Sequence, residues 1–115
     1  MSAISEIIVY SRPHEVHSYL KEHLSHVETV SEDVFEGPGM YVAVTVYQQY
    51  FMRVGNRAAL TVIVSGSQDS DSTRVKTVAT GSSRDFIIDF DWGAAGAFAY
   101  EPIELLKRGF RTSEP

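Results

Sequence analysis

Residues 40–65 read MYVAVTVYQQYFMRVGNRAALTVIVS, and this stretch decides the fold. Two runs rich in β-branched and aromatic residues flank Gly55-Asn56, a dipeptide that tolerates the positive φ angles of a tight turn. The stretch therefore predicts a β-hairpin over residues 40–66.

Neither face of the first strand of this hairpin is plainly polar. Its even-numbered positions are rich in valine, and its odd-numbered positions include Tyr41, Tyr47 and Phe51. A strand with one wet face should instead alternate apolar and polar residues. We assign the aliphatic face to the helices, because branched aliphatic side chains fill a core more completely than Tyr, Thr and Ala. A semi-apolar face with Tyr41, Tyr47, Phe51 and Ile63 then needs a cover, and these four residues are the interface or ligand candidates.

Three covers suit such a face: the second helix of the chain, a second copy of the protein, or a small apolar ligand. The leading hypothesis is a non-enzymatic interaction module that self-associates through the aromatic face as a homo-oligomer, such as a homodimer. The alternative is a small-molecule binding protein with an apolar pocket between the sheet and the C-terminal helix. That pocket would be lined by the aliphatic sheet face together with Phe98, Tyr100 and Leu106.

The clearest helix signal lies in residues 13–26. Val16, Leu20 and Leu24 recur at helical spacing and form one apolar stripe, and Pro13 suits a first helical turn. A second helix is predicted over residues 94–110, either kinked at Pro102 or divided there.

The remaining segments predict strands separated by polar or glycine-containing turns. These strands cover residues 6–10, 27–36, 73–80 and 86–92. The expected fold class is α+β, with an antiparallel sheet of five to six strands, one helix after the first strand and one at the C-terminus. The order is β-α-β-β-β-β-β-α, in a single domain spanning residues 1–115.

Composition limits the function classes. The chain has no cysteine, which excludes disulfides and thiolate metal sites and suits a cytoplasmic location. Its N-terminus resembles no signal peptide, and no apolar run is long enough to span a bilayer. The net charge of −5, with scattered basic residues, argues against nucleic acid and membrane partners.

Candidate chemistry is sparse. His14 and His17 are three residues apart and could chelate a metal, but they lack the spacing of four of the metalloprotease motif, so we expect core-edge or surface roles. Asp89 and Asp91 share a predicted strand face, and the turn at residues 81–84 could bind an anion; ordinary structural roles are the favoured interpretation for both. The sequence predicts no catalytic residue, metal or cofactor, and favours a protein that is not an enzyme.

Four short motifs resemble a family of short bacterial α+β proteins of unknown function. They are Tyr47-Gln48-Gln49-Tyr50, Gly55-Asn56-Arg57 with Leu60, Thr80-Gly81-Ser82-Ser83, and Phe98. The similarity covers residues 40–100 and implies a compact bacterial cytoplasmic domain without implying an activity. The element order is also similar to helix-grip and TATA-box-binding-protein-like folds, so the alternative function is that of a helix-grip binding protein.

Overall fold

The chain folds into one antiparallel sheet and two helices in a computed structural model that describes residues 2–51, 56–81 and 91–115. Side chains are described for these residues except 2, 51, 56 and 91–96. The elements in chain order are β1 (Ser2–Val9), α1 (Pro13–His23), β2 (Glu28–Gly37), β3 (Met40–Phe51), β4 (Asn56–Gly66), β5 (Thr73–Gly81), α2 (Asp91–Gly109) and β6 (Thr112–Ser113).

Within the described ranges the sheet has six strands in the order β2-β3-β4-β5-β1-β6. Every pairing is antiparallel. The predicted fold class is therefore confirmed. The predicted hairpin is confirmed as well, because β3 and β4 pair from Phe51 opposite Asn56 to Tyr41 opposite Gly66.

Both helices pack on the same face of the sheet, which we call the inner face. α2 lies mainly against β1 and β5, and α1 lies against β3, β4 and β5. The opposite face is called the outer face. Inner positions of β5 are buried at every second residue, from Thr73 to Ala79, as expected for a strand with one covered face.

The assignment of the two faces of β3 from sequence is wrong. Tyr41 and Tyr47 point to the inner face and are each 3% exposed, whereas the valines at 42, 44 and 46 lie on the outer face and are partly exposed. The physical reason is the register of the hairpin. Tyr47 pairs with Leu60, so the tyrosines share a face with the buried aliphatic residues of β4 and not with its outer positions.

α1 begins at Pro13, as predicted, and buries the stripe formed by Val16 and Leu20. Its N–H groups at the first turn have no partner in a helix, so proline loses nothing there. The Tyr19 hydroxyl donates to the Leu105 carbonyl at 2.9 Å, which joins α1 to α2.

α2 is a single helix that continues through Pro102. One turn before Pro102 the helix is hydrogen bonded to β5: the buried Thr77 hydroxyl donates to the Ala99 carbonyl at 2.7 Å. The last residue of the helix is Gly109, and space requires a glycine at this position: a Cβ atom there would lie 2.6 Å from the ring of Tyr19.

The strand predicted over residues 86–92 is wrong at its end, because Asp91 and Trp92 belong to α2. Residues 86–90 lie outside the described residues. The seven-residue alternation was too short to separate a strand from a helix, and the alanine-rich segment that follows favours the helix. Among the described residues the sixth strand is Thr112–Ser113, which pairs with β1.

The helices in the described ranges include none long and apolar enough to cross a membrane.

Candidate functional site

One histidine of α1 is buried where this helix faces strands β2 and β3. His17 is 6% exposed, one position beyond the apolar stripe of α1. Its Nδ1 lies 2.6 Å from the Tyr41 hydroxyl, and its Nε2 lies 2.9 Å from a carboxylate oxygen of Glu32. The second oxygen of Glu32 accepts from Lys21 at 3.3 Å. We call His17, Lys21, Glu32 and Tyr41 the His17 cluster.

The partners of His17 determine its tautomer. An ionised carboxylate can only accept a hydrogen bond, so Nε2 carries a proton and donates to Glu32. In the neutral ring Nδ1 then accepts from the Tyr41 hydroxyl. Protonation of Nδ1 would reverse that bond and turn the Tyr41 hydroxyl proton towards another acceptor. Both ring nitrogens are occupied by protein groups, which leaves neither for a metal.

Electrostatics favour a charged Glu32 and an uncharged Tyr41. Burial raises the pKa of Glu32, but hydrogen bonds and charge from Lys21 and His17 outweigh burial and lower it overall. Burial raises the pKa of Tyr41, and the nearby carboxylates of Glu36 and Glu32 raise it further. At neutral pH the His17 cluster is therefore a satisfied hydrogen-bonded chain that joins α1 to β2 and β3.

The other end of the inner face of β3 is different. Tyr47 and Thr45 are each 3% exposed, and their hydroxyls have no hydrogen-bond partner among the described residues. Burial raises the pKa of Tyr47, with a further contribution from the charge of Glu32. Buried polar groups are nearly always paired with protein or water. These two hydroxyls are therefore exceptions to that rule among the buried residues that the structure describes.

Side chains are small around Tyr47. In its register row the inner face continues through Leu60 and Ala79 to Ala3, and the next row contains Ala58 beside Gly81. The row of Tyr41 also contains a glycine, Gly66, and the row of Ala43 carries the larger residues Val64, Val75 and Ile7. Among the described rows, the one with Ala58 and Gly81 next to Tyr47 supplies the least side-chain volume.

A surface groove of about 420 Å³ opens beside the start of α1. It is lined by Arg12, Pro13, His14, Glu15 and Gln68. The ring of His14 lies edge-on to the ring of Tyr41, with centroids 6.2 Å apart. The ring of His17 also lies near the ring of Tyr41, with centroids 5.9 Å apart, so Tyr41 contacts both a histidine of the groove and the histidine of the His17 cluster. No group of three or more potential metal ligands occurs in the part of the chain that the structure describes.

The four candidate residues predicted from sequence do not form one surface. Tyr41 and Tyr47 lie on the inner face, while Ile63 pairs with Val44 and lies on the outer face. Phe51 ends β3, and its side chain lies outside the described parts. Their role in an interface or in ligand binding stays a prediction, now divided between two faces.

Two other candidates from the sequence, the pair of Asp89 and Asp91 and the turn at residues 81–84, lie partly outside the described residues. Asp89 is outside them, and Asp91 is the first residue of α2, so the pair does not share a strand face. The turn at residues 82–84 is also outside them. Of the histidine pair, only His17 is buried.

Sequence reasoning missed the roles of Glu32 and Tyr41 as partners of His17. They are 15 and 24 residues away from it along the chain. The available signal was a histidine next to an apolar helical stripe, which indicates a buried ring that needs two polar partners.

Comparison with solved structures supports the fold. The crystal structure of Ara h 8.0201, a helix-grip protein, matches with a TM-score of 0.53 at 10% sequence identity, covering 95% of this chain and 96% of that chain. At this identity the likeness shows the fold alone, and it confirms the predicted similarity to helix-grip folds.

A second solved structure is the di-domain ARO/CYC BexL from the BE-7585A biosynthetic pathway. Its TM-score is 0.29 at 11% identity, and the match covers 95% of this chain and 45% of that chain. A TM-score this low is not evidence for a shared fold.

No curated protein matches the sequence. A family model does match, over residues 3–109, and it describes a family of unknown function. This match spans most of the chain, including β1, both helices and the hairpin. The protein belongs to the DUF6054 family.

Proposed function

We propose that the protein binds a small, largely apolar molecule on the inner face of its sheet, between the sheet and α2. The observation that carries this proposal is the hydroxyl of Tyr47, which is buried and has no partner among the described residues. An unsatisfied buried hydroxyl costs about 1–3 kcal/mol. A ligand that hydrogen bonds to it recovers that free energy.

The surroundings suit an apolar ligand. Leu60 and Ala79 lie beside Tyr47 in the same register row, and Phe98 of α2 is also part of the buried core. Small-molecule sites are mostly apolar and contain a few polar groups that fix orientation. Tyr47 and Thr45 would be those polar groups.

The charge near the site selects among ligands. Glu32 is ionised and its charge acts on Tyr47, so an anionic ligand would be repelled. Tyr47 keeps its proton at neutral pH and can donate it. The favoured ligand is therefore a neutral molecule with a carbonyl or hydroxyl oxygen as its acceptor.

Nile red, a neutral dye with a carbonyl oxygen, tests the proposal. We expect saturable one-to-one binding to the wild-type chain, seen as a blue shift of its fluorescence. Tyr47→Phe should weaken binding about tenfold, the effect of one lost hydrogen bond. Tyr50→Phe is the matched control, because Tyr50 lies on the outer side of the same strand and is 52% exposed.

Equal affinities for wild type and Tyr47→Phe would overturn the role of this hydroxyl. A complete lack of saturable binding would overturn the site for this class of ligand. Native mass spectrometry of the purified chain gives a second readout, because a co-purified ligand adds mass to the 12.8 kDa chain.

Self-association, the leading hypothesis from the sequence, is not supported through Tyr41 and Tyr47, since both are buried under the helices. The outer face of the sheet, which neither helix covers, supports it better.

A further inference from the structure

The outer face carries an apolar strip along the middle of the hairpin. Val42, Val44 and Val46 of β3 and Ile63 of β4 lie on it and are partly exposed. Both helices are on the other face. We call these four residues the outer strip.

The outer strip has charges of opposite sign on its two sides. One register row crosses five strands, with Asp33 on β2, Val44 on β3, Ile63 on β4, Lys76 on β5 and Glu6 on β1. The charges on either side of the two apolar residues are therefore acidic on β2 and basic on β5, and a second acidic residue follows on β1.

Lys76 has capacity for a further carboxylate. Glu6 on β1 makes its closer ion pair with Arg74, at 2.9 Å, and lies 4.0 Å from the ammonium of Lys76. Asp33 is exposed and makes no ion pair within the described residues.

We propose that a second copy of the chain docks on the outer strip, related to the first by a two-fold axis that runs parallel to the strands between β3 and β4. This rotation keeps each register row opposite the same row of the other copy. It places Val44 against the partner's Ile63, and Asp33 against the partner's Lys76. The contact is self-complementary, as a two-fold interface requires.

Other arrangements of two copies are unfavourable on charge. A two-fold axis perpendicular to the strands would stack β2 on β2, which brings Asp33 close to its own copy. Edge-to-edge pairing through β2 would also bring acidic residues together. A register irregularity between Thr29 and Ser31 further disrupts this edge.

The size of the face sets the expected affinity. Four strands about 4.8 Å apart and four rows about 6.7 Å apart cover roughly 500 Å² per copy. Two such faces bury roughly 1,000 Å², the small end of specific interfaces. We therefore expect a reversible dimer with a dissociation constant in the micromolar range.

Sedimentation velocity of the full chain over about 1–500 μM tests this proposal, a range chosen to bracket the expected affinity. The wild-type average mass should rise from 12.8 kDa towards twice that value. Val44→Asp should raise the dissociation constant about 100-fold or more, because the two-fold axis places the new carboxylate in the interface twice.

Val34→Asp is the matched control. Val34 pairs with the inner residue Ala43, is 42% exposed and lies on the other side of the sheet. This variant should dimerise like wild type. A dimer weakened equally by both substitutions, or insensitive to Val44→Asp, would overturn the choice of face.

A charge exchange tests the register without adding a charge to the outer strip. Asp33→Lys and Lys76→Asp should each weaken the dimer, by like-charge contact across the axis, and the double variant should regain most of the lost affinity. Failure of the double variant to recover would overturn the proposed axis. A wild-type chain that stays monomeric at the highest concentration would overturn the dimer. This holds equally if the outer strip is found to bind a different macromolecule. Circular dichroism confirms that each variant is folded.

Discussion

The two faces of β3 differ in the opposite sense from the one that hydrophobicity suggests. Its inner face buries tyrosine, threonine and alanine, and its outer face leaves valine partly exposed. The inner face receives its aliphatic volume from β4 and β5, so β3 is free to supply hydroxyl groups there. Burial of a strand residue therefore reports which face the helices cover, and only secondarily how apolar the residue is.

The largest expected difference between the faces comes from truncating one aliphatic residue on each. Leu60 is fully buried on the inner face, and Leu60→Ala should lower the free energy of unfolding by about 2–5 kcal/mol. Ile63→Ala, three residues later on the outer face, should lower it by no more than about 1.5 kcal/mol, because no closed cavity forms. Urea denaturation at low protein concentration measures both, and equal losses would contradict the assignment of faces.

The two tyrosines of the inner face should respond differently to loss of the hydroxyl. Tyr41→Phe leaves the buried Nδ1 of His17 without its partner and should lower the free energy of unfolding by about 1–3 kcal/mol. Tyr47→Phe removes an unpaired hydroxyl and should leave stability unchanged or raise it by up to about 1 kcal/mol. The measurement is urea denaturation of chains refolded from denaturant to remove bound ligand. Tyr47→Phe being as destabilising as Tyr41→Phe would show that Tyr47 has a protein partner.

The free energy of unfolding at acidic pH should depend on Glu32 of the His17 cluster. The pKa of Glu32 is lowered from 4.5, so the folded state holds its proton less tightly than the unfolded chain does. The stability that this group contributes is present above pH 4.5 and is lost as the pH falls through the folded pKa. Glu32→Gln should flatten this part of the curve of unfolding free energy against pH. Glu22→Gln, on the exposed side of α1, is the control, and an unchanged curve for Glu32→Gln would contradict the prediction.

The smallest expected effect is on tyrosine ionisation. The pKa values of Tyr41 and Tyr47 are raised above 10.0, mainly by burial, and the charge of Glu32 contributes to both. The stability from these groups is therefore lost as the pH rises through their folded pKa values. Glu32→Gln should lower both pKa values slightly, since burial is unchanged. Phenolate absorbance, with Tyr41→Phe and Tyr47→Phe to assign the transitions, checks this.

The sequence already indicated which side chains of β3 and β4 share a face of the sheet. A hairpin loop with an even number of residues pairs odd positions of one strand with even positions of the next. The predicted turn at Gly55-Asn56 therefore required Tyr47 to share a face with Leu60. Grouping Ile63 with the tyrosines contradicted that turn, and checking the register would have separated them.

The candidate site was less accessible to sequence reasoning. His17 could be placed at the edge of an apolar stripe, but its partners come from two other strands, 15 and 24 residues away. The unpaired state of Tyr47 was equally out of reach, because it depends on every group packed around the hydroxyl.

By itself the sequence determined the hairpin, the helix that begins at Pro13 and which side chains share each face of β3 and β4. These follow from local backbone preferences and from the alternation of side chains along a strand. Only the tertiary structure decided which face lies inward, because that depends on where α1 and α2 dock. The docking is a property of the whole chain: it buries the aliphatic residues of β4 and β5 and satisfies His17 at the same time.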